Sequence, residues 1–77
     1  MTDEERILQF AAERLRPGAG ETVGGALQEA VTEWWRIACP GERVPSMVAV
    51  AKVLTEQAGI VKERRGGKVR YSAGLVA

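Results

Sequence analysis

The chain has no histidine, one cysteine and only four aromatic residues in 77. Without histidine, and with Cys39 alone, a conventional zinc site lacks its nitrogen and sulfur ligands. A lone cysteine also cannot form an internal disulfide. No base is recognisable near Cys39, so it reads as a small buried or half-buried hydrophobe. Histidine is the commonest general base, and no nucleophile stands beside a substitute for it. Glu29 and Glu33 lie one helical turn apart, a spacing common on any solvated helix face. The chain is therefore expected not to be an enzyme, and to need neither metal nor cofactor. No apolar run approaches the roughly 20 residues of a membrane span. The first charges, Asp3, Glu4 and Glu5, have the wrong sign for a signal peptide. A cytoplasmic protein with no membrane partner is expected.

What is present is an uneven distribution of charge. The net charge is +1. Residues 1–33 hold seven acids and three bases, whereas residues 34–77 hold eight bases and three acids. A polyanion docking on the C-terminal half would account for the split. The bases concentrate in one segment, Gly59 to Tyr71. There Lys62, Arg64, Arg65, Lys68 and Arg70 face a single acid, Glu63. Gly66-Gly67 interrupts the segment. Only glycine takes the positive φ of a tight hairpin turn without steric cost, so the chain is expected to reverse there. A two-residue loop would pair Arg65 with Lys68, Arg64 with Val69, Glu63 with Arg70 and Lys62 with Tyr71. The hairpin should span about 60–73, with Ile60, Val69 and Tyr71 anchoring it on the rest of the domain.

Upstream, Thr2 and Glu5 form a capping box that opens a first helix, about 3–16. Ile7, Leu8, Ala11, Ala12 and Leu15 make its apolar stripe, with Phe10 at the edge. Pro17-Gly18 stops it. Residues 17–22 read as a Gly-rich loop, and Thr22-Val23 as a short first strand. Gly24-Gly25 lacks the Lys-Ser/Thr of a phosphate loop. A second helix, about 25–38, buries Leu27, Ala30, Val31 and Trp34 at helical spacing. Trp35 points about 100° away and is expected to be half exposed. Ser46 is a good N-cap for a third helix, about 46–57, and Pro45 prevents an earlier start. Val50, Val53 and Leu54 face the core. Gly59 ends the helix. One domain, residues 1–77, is expected. Its order α-β-α-α-β-β, with three helices and a C-terminal β-hairpin wing, is an α+β winged helix-turn-helix.

From Phe10 onward the chain resembles the C-terminal winged-helix domain of phage- and plasmid-type primase-helicases, a family related to poxvirus nucleoside triphosphatases. The residues carrying the resemblance are Phe10, Gly18 to Gly20, Leu27/Val31/Trp34, Pro45-Ser46, Leu54, Gly59-Ile60, Arg64 to Lys68, Tyr71 and Gly74-Leu75. The resemblance implies DNA binding in replication, beside a primase and a helicase that are fused or adjacent. The third helix departs from the family pattern. Its outer face carries one base, Lys52, where the family often has Arg, Lys and Gln.

Two functions follow as expectations. In the first, the chain binds nucleic acid, most readily duplex DNA, as a monomer or weak homodimer. Lys52 and Ser46 on the third helix would contact phosphate, as would Lys62, Arg64, Arg65, Lys68 and Arg70 on the hairpin. In the second, Trp35, Met47, Val48 and Ala49 form an apolar patch for a protein partner or a second copy.

Overall fold

The computed structural model describes residues 2–76. Its elements are α1 (Asp3–Arg14), β1 (Leu15–Val23), α2 (Gly24–Ala38), α3 (Met47–Gln57), β2 (Lys62–Arg65) and β3 (Lys68–Leu75). The fold is α+β: three helices and a three-stranded antiparallel sheet of order β1-β3-β2. Among the described residues no helix is long and apolar enough to cross a membrane.

The helix starts follow local chemistry. The Thr2 hydroxyl accepts the Glu5 N–H at 3.2 Å, and Asp3, Glu4 and Glu5 complement the helix dipole. The Ser46 hydroxyl does the same for the Ala49 N–H at 3.2 Å. At the far end of α3 the Leu54 carbonyl accepts from both Ala58 and Ile60, which turns the chain toward the hairpin. Gly66 and Gly67 both adopt positive φ (59° and 78°), as a two-residue turn of matching twist requires. The β2–β3 register is the expected one: Lys62↔Tyr71, Glu63↔Arg70, Arg64↔Val69 and Arg65↔Lys68.

The first strand is much longer than Thr22-Val23, and there is no separate glycine-rich loop. α1 ends at Arg14, not Arg16, because Pro17 disfavours helical backbone at the residue before it. Leu15 then enters β1 directly and pairs with Leu75. The pairing is irregular between Pro17 and Thr22, where the segment bulges. Pro17 is tolerated because β1 lies at the sheet edge. The bulge presses on β3: a Cβ added at Gly74 would lie 2.5 Å from the Ala19 carbonyl oxygen. Only glycine admits that approach. Buried Thr22 donates its hydroxyl to the Ala73 carbonyl, so its polar atom does not go unpaired.

The core joins all the helices to the sheet. Ile7, Phe10, Leu27, Val31, Val50, Leu54, Ile60, Tyr71 and Ala73 are buried in it. Phe10 sits at its centre, fully buried, and not at the edge of the α1 stripe. Its ring meets Trp34 edge-on at 5.9 Å, and Trp34 meets Trp35 at 5.6 Å. Such aromatic pairs contribute about 0.5–1.5 kcal/mol each beyond area burial. Trp34 also donates its Nε1–H to Glu13 at 3.2 Å.

Trp35 is fully buried, contrary to the half-exposed position its helix angle suggested. The reason lies in how α2 is covered. It touches α1 through Trp34 and Phe10, and it also packs on β1 and β3. Its apolar face is therefore wider than the Leu27–Trp34 stripe alone.

Candidate nucleic-acid interface

The starts of two helices converge on the hairpin. Gly24 and Gln28 from α2, Met47 and Val48 from α3, and Lys62, Val69 and Tyr71 from the hairpin line one cleft of about 260 Å³. Gly24 brings α2 against β3, with the Val69 carbonyl and the Tyr71 ring beside it. Tyr71 is a packing anchor, buried to 4% exposure, and burial raises its phenol above the ordinary value. Val48 projects from the first turn of α3 and is 81% exposed. Lys52 follows it by four residues and so lies on the same side of the helix.

The hairpin register divides the five bases between two faces. Side chains alternate along a strand, and directly opposed residues share a face. Lys62 and Arg64 therefore share the face of Tyr71 and Val69, which is the cleft side. Arg65, Lys68 and Arg70 lie on the other face, together with Glu63. Arg65 is not a free cation. Its guanidinium donates to Glu21 on β1 and lies 3.5 Å from Glu63. The sequence reading missed Glu21 because its partner is 44 residues away. A first strand running alongside the hairpin was the available signal. Among the described residues, Lys52, Lys62, Arg64, Lys68 and Arg70 have no carboxylate within ion-pair distance.

Ser46 caps α3 by accepting a hydrogen bond, which leaves its O–H proton free to donate outward. Met47 and Ala49 are half-buried, so the apolar patch of the protein-partner reading reduces to Val48 and its neighbours without Trp35. A larger hollow of about 720 Å³ lies along α2 and includes Glu29, Glu33, Arg36 and Ile37. Its two carboxylates oppose an anionic ligand, so it bounds the basic face and does not extend it.

The Arg65 contact holds the Glu21 carboxyl below its ordinary value of 4.5, chiefly through the hydrogen bond. A depressed folded-state value means the contact contributes fully above the ordinary carboxylate range. It is lost as pH falls through the lowered value. By carboxylate NMR, Glu21 is expected to titrate below its ordinary value in the native chain and to move up toward it in Arg65→Gln, with the Arg70 charge still lowering it. An unchanged midpoint in that variant would mean the two groups do not interact in solution.

No family model, no curated protein and no solved structure matches the chain.

Proposed function

We propose that this chain is a winged-helix DNA-binding module, with α3 as the groove-facing helix and the β2–β3 hairpin as the wing. The observation that carries this reading is the placement of Lys62 and Arg64 on the same side as Val48 and Lys52 of α3, with no carboxylate of the described residues within ion-pair distance of these cations. Cations so placed can follow two phosphate rows while α3 enters the groove between them. Ser46 and the free N–H groups of the first turn of α3 add neutral phosphate donors. Motif residues from Phe10 to Leu75 support a replication setting beside a primase-helicase.

The two faces of the wing lead to a number. Five phosphate contacts, one for each hairpin cation, would give a log–log salt slope of about −4 to −5. Contacts through Lys52, Lys62 and Arg64 alone give about −2.7. Fluorescence anisotropy of a labelled 16-base-pair duplex across salt is expected to return a slope near −3. Absence of salt dependence would remove the DNA reading. A slope beyond −4 would place the outer face of the wing on DNA as well.

The protein-partner reading keeps one observation, the exposure of Val48. Val61 and Ile37 are exposed as well, scattered exposed hydrophobics are ordinary on a protein surface, and the cations around Val48 disfavour an apolar partner face.

A further inference from the structure

The outward stripe of α3 is Val48, Lys52, Thr55 and Glu56, at i, i+4, i+7 and i+8. This stripe has no Arg, Asn or Gln, and its one cation, Lys52, is the residue assigned to phosphate above. Thr55 donates its hydroxyl back to the Ala51 carbonyl at 2.9 Å. A helix of this kind can still discriminate bases through apolar contact. The major groove offers one apolar feature, the C5-methyl of thymine.

We infer that Val48 reads thymine methyl groups, so that the domain prefers methyl-bearing major grooves. This rests on the DNA-binding reading and specifies what that same face selects. Val48 stands in the first turn of α3, the end of a groove-entering helix that meets base edges. It is 81% exposed and shares a cleft with Met47, Val69 and Lys62. Lys52 flanks it on the other side, one turn along. An apolar group set between cations suits a polyanion that carries apolar handles. Valine is stiff at χ1, so it presents its methyls in one arrangement and loses little entropy on contact. Burying one methyl-sized group is worth about a 4-fold change in affinity.

The test uses four 16-base-pair duplexes at one low salt concentration. Two are an alternating A·T duplex and its counterpart with uracil for thymine. The others are an alternating G·C duplex and its counterpart with 5-methylcytosine, which restores the methyl at the same groove position. The native chain is expected to lose about 4-fold or more in affinity on uracil and to gain a similar factor on 5-methylcytosine. Val48→Ala, a surface change with an unaltered thermal midpoint, is expected to narrow the gap between each methylated duplex and its unmethylated partner. Salt-dependent binding that ignores the methyl in both pairs overturns this inference and leaves DNA binding standing. No binding to any duplex overturns the DNA reading itself. A native dimer in sedimentation that Val48→Ala dissociates also overturns the inference, by assigning Val48 to contact with a second copy.

Discussion

Trp35→Ala is expected to lower the urea midpoint of unfolding sharply, although the helix angle of Trp35 suggested a half-exposed residue. The ring is fully buried and packs edge-on against Trp34, which in turn meets Phe10. Truncating a buried tryptophan to alanine costs about 3–5 kcal/mol through lost transfer energy and the cavity left behind. A domain of this length has a total stability of roughly 4–12 kcal/mol. The substitution therefore removes a large share of the stability, and all of it at the lower end. Trp35→Phe behaves differently. The Trp35 Nε1–H is buried without an acceptor among the described residues, a burden of about 1–3 kcal/mol. Phenylalanine removes that donor and keeps an aromatic ring, so its net cost should be far smaller than that of alanine. Urea denaturation followed by circular dichroism separates the two. An unchanged midpoint in Trp35→Ala would return Trp35 to the surface and with it the protein-partner patch.

The second large effect concerns affinity and the division of the wing. Lys52→Gln, Lys62→Gln and Arg64→Gln combined are expected to weaken duplex binding by about 10–100-fold at low salt. The same triple variant should lose most of the salt slope. Arg65→Gln, Lys68→Gln and Arg70→Gln combined remove the same formal charge but are expected to cost less than about 3-fold. Arg65 is already engaged by Glu21 and Glu63, and Lys68 and Arg70 share its face, away from α3. The loss in the first triple should be alike on every DNA sequence, since phosphate contacts position the protein and do not select bases. Equal losses in the two triples would show that net charge alone governs binding and that the wing has no preferred face.

The features legible in the sequence are those set by short-range chemistry. Gly66-Gly67 demands a turn that few other pairs allow, and the turn length fixes the register of every pair below it. Thr2 and Ser46 cap their helices through their own side chains. The order α-β-α-α-β-β follows from these signals together. What was not legible depends on distant partners. Arg16 to Glu21 has neither strand alternation nor β-branched residues. It is held in the sheet by its ends, where Arg16 and Pro17 pair with Gly74 and Ala73 more than 50 positions later and Thr22 pairs with Tyr71. The burial of Trp35 depends on α2 being covered by both α1 and the sheet. The alternation of the hairpin was readable, but which side faces α3 is a tertiary fact. Glu21 falls within residues 17–22, which read as a loop, so the sequence offers no reason to place it beside Arg65.

The central claim is that one side of the hairpin and the outward side of α3 form a single anion-binding face. A ¹⁵N-¹H correlation titration with a 16-base-pair duplex, at about 50 mM and 300 mM salt, tests it most directly. The expected result is a set of shifts at low salt covering Met47, Val48, Lys52, Lys62, Arg64 and Val69, which retreat at high salt. Shifts confined to Glu21, Arg65, Lys68 and Arg70, or no shifts at either salt concentration, would contradict it.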